Sequence, residues 1–463
     1  MAALLRRVAL IIPHTNCLTI SPPMQLGYLA SSFMKEGWEI RIYDFTVPGA
    51  NTSTFMHEIV DWMPGMIGIS AKTIEFESAK KLVRDFKSLM PETRIVLGGV
   101  HPTALPEDTL RESGADFVVR GEGEITAVRL GDLITGDISS PAEVRGIGYL
   151  SNGDVHLTEP QDLIQDLDSV PFPAWELIPP ARYSLYPWQI FKRRDVVAPV
   201  LTSRGCPYSC TFCATKKVHG KKVRPRSPLN VVSEMELLVR DFSVGEFHIM
   251  DDNFTVIREH AARVCEEITK KDLGIIWKTP NGIHVDTVDE ELIVLMKESG
   301  CYQIGFGIES GSREILRRCK KKLDLSLVGS KIAIAKKHGI EVYGFFILGL
   351  PGETMETVEE TLSFMRRGFD HVNVAFCIPY PGSEIFSDLY AKGEPIKDWN
   401  RFIHYNPFPL SSLTEKELKS YMRKAILGFY INPVRGFRLL RKLRLSQVGY
   451  VFSLIRKYLH LGR

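Results

Sequence analysis

What most limits how this chain folds is a rhythm of short β-branched runs separated by amphipathic stretches, present twice with a proline-rich gap between. From Arg7 to about Arg120 the runs are RVALIIP, EIRIYDF, MIGISAK, RIVLGGV and DFVVRG, with helical stretches such as MQLGYLASSFMKEG and ESAKKLVRDFKSLM among them. Strands alternating with helices build a parallel sheet covered on both faces, so the pattern predicts an α/β, doubly wound, Rossmann-like domain over residues 1–140. Residues 141–195 lose the rhythm and gain prolines, as in DSVPFPAWELIPP, which reads as a hairpin-containing linker. The rhythm returns in VVAPVLTSRG, EFHIMDD, IIWKTPNGI, YQIGFGIES, EVYGFFILGLPG and HVNVAFCIPYPG. These strand–helix units predict a (β/α)6-type partial TIM barrel over residues 196–390, followed by a small helical, basic region over 391–463.

In both kinds of sheet, ligands bind at the carboxyl ends of the strands. The unusual residues of the second segment fall there in turn: RGCPYSCTFC after its first strand, then DDNFT, PNGIH, GIESGS, LGLPGET and PYPGSE. In the first segment the equivalent loops are PHTNCLTISPP, SAKTIEFES and GGVHPTALPED.

A formal charge of +3 over 463 residues is too small to imply a nucleic-acid partner. No stretch reaches the ~18 uninterrupted apolar residues of a spanning helix, and MAALLRRVALIIP reads as a charged start running into a strand, so a cytoplasmic location is expected. Residues 421–463 hold ten Lys or Arg and no Asp or Glu, interleaved with apolar runs. That stretch reads either as a helical subdomain with a solvated basic face or as a peripheral contact with an anionic membrane.

The eight cysteines lack the regular spacing of a disulfide framework. Three of them, Cys206, Cys210 and Cys213, sit four and three residues apart, a triplet that chance would place only about 0.002 times in such a chain. A closed zinc site wants four protein ligands, and a distant group such as His219 would have to complete it. An iron–sulfur cluster held by three thiolates instead leaves one iron open, where a cofactor or substrate can be activated.

At these residues the chain resembles the radical S-adenosylmethionine superfamily, whose CxxxCxxC signature appears as Cys206-Pro-Tyr-Ser-Cys210-Thr-Phe212-Cys213. The resemblance implies a 4Fe-4S cluster on the three cysteines, S-adenosylmethionine chelated to the open iron, and one-electron cleavage to a 5'-deoxyadenosyl radical. It places Phe212 beside the adenine, and Glu309 and Ser310 of GFGIESGS against the ribose or methionyl group. Ile347, Gly349 and Leu350 of FFILGLPGET would pack on or approach the adenine. MDDNF stands where many members carry Gly-Gly-Glu, leaving Asp251, Asp252 and Asn253 as candidates for the methionyl amine, with Asp252 favoured. His284 stands where relatives often carry Arg.

The order of domains, with PPMQLGYLASSFMKEGWEIRIYD, VLGGVHPTALPED and VVRGEGE, resembles the cobalamin-binding branch of that superfamily. This implies cobalamin at the strand ends of the first domain, with Gly98, Gly99, His101, Pro102 and Thr103 as its contacts. The Asp-x-His-x-x-Gly pattern that supplies histidine to cobalt is missing; His14 lacks its surroundings, and Cys17 reads as a loop thiol. The expected function is oxygen-sensitive methyl transfer to an unactivated carbon of a small-molecule or lipid-like substrate, fed by a donor such as flavodoxin or ferredoxin. The alternatives are a radical cyclase or rearrangement enzyme, akin to anaerobic porphyrin cyclases, and a non-catalytic cobalamin sensor or zinc-stabilised binding protein.

Overall fold

The computed structural model describes residues 6–15, 20–47, 49–183, 192–391, 393, 396, 398–403 and 405–431. The chain divides into two compact units, the first built from Met1–Tyr183 with two later returns, Ala214–Gly220 and Tyr380–Phe402.

The first unit contains β1 (Arg7–Ile12), β2 (Glu39–Asp44), β3 (Met66–Ser70), β4 (Arg94–Gly98), β5 (Phe117–Val119), β6 (Ile147–Ser151) and β7 (Asp154–Leu157), in the sheet order β2-β1-β3-β4-β5-β6-β7. The first five strands run parallel. Their 2-1-3-4-5 order is the flavodoxin-like winding, which opens a ligand crevice where the order reverses, between the ends of β1 and β3. Position explains composition: central β1 is buried from Val8 to Ile12, whereas edge strand β2 leaves Glu39 and Arg41 exposed.

The expected linker behaves differently. β6 pairs antiparallel with β5, Phe117 opposite Tyr149, and β7 continues the sheet. Without that hairpin, the backbone edge of β5 would lie open to water or to another chain. Beyond it the chain stays on the same unit: the Ala174 N–H donates to Gly27 O at 3.0 Å, and Trp175 and Tyr183 are fully buried. The first unit's main segment therefore extends well beyond residue 140.

The second unit comprises Ser184–Cys213, Lys221–Pro379 and Ile403–Arg463. It contains β8 (Val197–Val200), a short antiparallel pair of β9 (Ser203–Arg204) and β10 (Arg224–Pro225), then β11 (Glu246–Ile249), β12 (Ile276–Ile283), β13 (Cys301–Glu309), β14 (Glu341–Leu348) and β15 (His371–Phe376). The main sheet is all parallel, ordered β15-β14-β13-β12-β11-β8, an open six-stranded partial barrel. Several returning helices begin on a side-chain cap that accepts an otherwise orphaned N–H: Ser227 before Pro228–Phe242, Asp289 before Glu290–Glu298, Asp324 before Leu325–Lys337 and Thr354 before Met355–Met365. The C-terminal basic stretch from residue 432 on, including most of the membrane-contact expectation, lies outside the described residues, as does Cys17. No helix among the described residues is long and apolar enough to cross a membrane.

At the amino-terminal end of the barrel strands a buried polar network ties neighbours together. Glu246 Oε2 accepts the N–H groups of Arg193 and Arg194 at 2.5 and 2.9 Å, while Oε1 accepts from Tyr302 Oη at 2.6 Å and His248 Nε2 at 2.9 Å. Burial opposes its charge, but hydrogen bonds from His248 and Tyr302 and the nearby Lys278 hold the carboxyl down at about 2. A folded value below the unfolded one, about 4.3, gives stabilisation that is complete above that pH and lost as pH falls through the folded value. Acid unfolding should therefore have a limb below about pH 4.3. In Glu246→Ala, urea denaturation should show that limb flattened and a loss of about 3–5 kcal/mol at neutral pH, because the remaining buried groups lose their partner.

Candidate active site

The loop carrying the three cysteines leaves β8 and is fastened at several points. Asp251, just past β11, accepts from the Thr202 N–H at 2.7 Å and from the Thr202 and Ser203 hydroxyls at 2.6 Å each. Burial pushes its carboxyl up to about 6, against the pull of those donors. Next along, Asp252 Oδ2 accepts the Gly205 N–H at 3.0 Å, which brings a carboxylate into the electrostatic surroundings of Cys206. Inside the loop, the Cys213 N–H donates to Cys210 O at 3.1 Å, and the Thr211 N–H donates to Cys319 O at 3.0 Å. Tyr208 stacks on the buried ring of His284 at 4.5 Å and 14°. Burial and Lys321 push that imidazole down to about 4, so at neutral pH it is an uncharged stacking partner.

Cys206, Cys210 and Cys213 are free thiols and electrostatic neighbours. Burial raises Cys206 and pushes Cys210 up to about 11, with Lys321 opposing the rise at Cys210. Among the described residues no three His, Cys, Asp or Glu side chains converge as one ion requires. A cubane that takes one thiolate on each of three irons needs sulfurs that surround a volume, and three free thiols on one pinned loop fit that demand.

The remaining candidates separate into two groups. Phe212 is half-buried beside the last cysteine. Glu309 ends β13 with φ 66° and pairs with Lys321 Nζ at 3.1 Å. Ile347 is half-buried on β14, on the same face as Phe345, whereas Leu348 points into the core. Gly349 has the left-handed φ of 81°. These residues and Asp252 lie at the carboxyl ends of the strands, where a nucleoside can reach them.

Ser310 and Leu350 differ from expectation. Both are fully buried; the Ser310 hydroxyl engages Thr361 Oγ1 at 3.1 Å and accepts the Ser312 N–H at 3.1 Å, so it fixes a turn. Only the backbone of Leu350 is near an acceptor. Asn253 is likewise buried and directed toward the His284 N–H at 3.4 Å.

Two residues overlooked in the sequence matter here. Lys321 is hidden in the charge run RRCKKK, where no local signal distinguishes it from its solvated neighbours. Glu353, in the GLPGET stretch, is fully buried and its Oε2 accepts the N–H groups of Gly349 and Leu350 at 2.6 and 3.2 Å. Burial raises its carboxyl to about 7 against those two bonds.

In the first unit, Gly99 has φ 99° and a Cβ there would sit 2.9 Å from Ala71 O, so only glycine closes β4 onto the loop after β3. A Cβ on Gly98 would meet nothing nearer than Val119 at 3.9 Å, which leaves open backbone for a flat ligand and fits a corrin. His101, Pro102 and Thr103 are buried. His101 lies 4.1 Å from the Phe76 ring and 4.7 Å from Trp399, and burial and Lys80 push it down to about 3. Thr103 Oγ1 accepts the Gly121 N–H at 3.0 Å. The His14 Nδ1 lies 3.3 Å from Phe45 O, a backbone tether for the ring.

Single Cys→Ala replacements at 206, 210 or 213 should each abolish iron and sulfide uptake in anaerobic reconstitution while leaving the far-ultraviolet circular dichroism unchanged. Glu353→Ala should weaken S-adenosylmethionine binding about tenfold in equilibrium titration, since two buried backbone donors lose their acceptor.

The sequence matches the Radical SAM superfamily over residues 200–365 and the B12 binding domain over residues 15–131. A Pyrococcus horikoshii protein described as an uncharacterized methyltransferase is 32% identical over 442 residues, covering 92% of this chain and 93% of its own. The anaerobic magnesium-protoporphyrin IX monomethyl ester cyclase of Rubrivivax gelatinosus is 31% identical over 396 residues, 83% of this chain and 69% of its own. Among solved structures, TsrM of Kitasatospora setae, a radical S-adenosylmethionine methyltransferase with cobalamin and a [4Fe-4S] cluster bound, aligns with a TM-score of 0.69 at 20% identity, covering 84% of this chain and 75% of that one. With the thiol loop at the strand ends of one unit and a glycine-edged crevice in the other, the chain belongs to the B12-binding branch of the radical S-adenosylmethionine enzymes.

Proposed function

We propose that this enzyme methylates an unactivated carbon of a small-molecule or lipid-like substrate. The observation that carries the reading is the shared rim of the second unit: three free thiols, the Lys321–Glu309 pair and the loop held by Glu353 meet at one end of a parallel sheet. When bound, the 4Fe-4S cluster supplies the electron that splits S-adenosylmethionine to a 5'-deoxyadenosyl radical, and cobalamin carries the methyl group.

The chain's own residues divide that work. Cys206, Cys210 and Cys213 hold the cluster. Phe212 and Ile347 bracket the adenine, and the left-handed turn at Gly349 lets backbone approach it. Asp252 and Glu309 take the polar groups of the methionyl and ribose parts. Gly98 and Gly99 offer the corrin a surface free of side chains. A flavodoxin or ferredoxin is the donor class suited to single-electron delivery.

Similarity to a Pyrococcus horikoshii protein described as a methyltransferase, over 92% of this chain, supports transfer chemistry. The relative described as a cyclase covers 83% of this chain and favours ring closure as the second reading. S-adenosylmethionine labelled in its methyl group separates them once a substrate is found: label appears in the product of a methyltransferase, whereas a cyclase yields an unlabelled product with 5'-deoxyadenosine. Formation of 5'-deoxyadenosine under reduction is expected in both cases, and its complete absence from cluster-loaded protein would overturn the radical reading.

A further inference from the structure

Lys321 does not belong to the cysteine signature, yet its charge acts on two of the three cysteines. The segment that carries it docks on the cysteine loop through the Thr211 N–H to Cys319 O bond of 3.0 Å, and its own N–H donates to Leu316 O at 2.9 Å, so its backbone is fixed. The side chain is 10% exposed and that of Glu309 is 12% exposed, with Nζ and Oε1 3.1 Å apart. Cys206, Cys210, Tyr208, His284 and Asp286 all feel its charge.

Space for this pair is provided by one residue. On β13, a Cβ at Gly307 would stand 2.7 Å from Glu309 Oε1 and 3.0 Å from Lys321 Nζ, so any side chain there would push the pair apart. Burial works against the lysine's charge, but acidic neighbours, the Glu309 carboxylate first among them, more than compensate, and the group is held above the ordinary lysine value. His284, at the position where relatives often carry arginine, is uncharged beside it.

Resting on the cluster assignment above, we infer that Lys321 is a positioning residue that serves the thiols and Glu309 at once. Its fixed positive charge favours the one-electron reduced cluster, and its ion pair holds Glu309 at the ligand-binding rim. Reduction adds a negative charge to a group already bearing three thiolates. A buried cation beside it therefore stabilises the reduced form more than the oxidised form, one of the protein's means of setting such potentials. Lys321 thereby links ease of reduction to the posture of the carboxylate that faces S-adenosylmethionine.

The test is a redox titration followed by electron paramagnetic resonance on anaerobically reconstituted wild type, Lys321→Met, Lys321→Arg and Gly307→Ala, with dithionite as reductant and iron content measured on each. Wild type must first take up its iron and show a changed reduced-cluster signal on adding S-adenosylmethionine; failure there would sink the cluster assignment itself. Given that, Lys321→Met should need a lower potential, with the reduced-to-oxidised ratio at a fixed potential falling about tenfold, or about 59 mV. Lys321→Arg should restore most of the loss. Gly307→Ala keeps the charge but displaces it, so its potential should shift in the same direction by a smaller amount, which covers the case in which Lys321→Met fails to load. An unchanged potential in either Lys321→Met or Gly307→Ala with full iron content overturns the inference.

Discussion

The carboxylates of Asp251 and Asp252 reach from the end of β11 to the backbone that leaves β8, and the rest of the site depends on those hydrogen bonds. Ten residues of irregular backbone with three thiols have no ladder of their own to hold them. The neighbouring strand supplies acceptors at one end of the loop, Cys319 supplies one in the middle, and His284 gives Tyr208 a flat surface to lie on. Positioning a cluster within tolerance is a problem of backbone entropy before it is one of metal chemistry. Here the entropy is removed by side chains from two strand ends and by a backbone carbonyl at the end of the helix Arg313–Arg318.

The same economy recurs around the rim. Glu353 satisfies two N–H groups of the turn after β14, Ser310 closes the turn after β13 onto Thr361, and Thr103 braces Gly121. Each is a polar residue in a loop that a ligand would visit, and each is spent on the loop's shape. Of the residues proposed for contact, Phe212 and Ile347 are apolar and half-buried, whereas Asp252 and Glu309 keep protein partners of their own.

This distinction accounts for what the sequence reveals and what it hides. The two α/β rhythms are legible because burial on both faces forces continuous apolar runs, as in β1. The cysteine triplet is legible because its spacing carries a chemical requirement within ten residues. Ser310 and His101 are not, because their partners, Thr361 and Trp399, lie far along the chain and nothing local predicts the meeting. Lys321 is concealed for the opposite reason: its neighbours are charged too, and only tertiary packing determines which lysine is withdrawn from water. The hairpin β6–β7 was visible as a turn, but its pairing with β5 depended on a sheet edge needing cover.

The first unit is not contiguous. Trp399, which seals the ring of His101, belongs to a segment made after most of the second unit. On the ribosome, the amino-terminal sheet therefore emerges with that aromatic slot empty and must wait for most of the remaining chain to be translated. Cutting the gene at the apparent domain border would leave the same slot exposed, so an isolated cobalamin module from this protein should carry residues 380–402 with it, supplied in trans or spliced on by a linker.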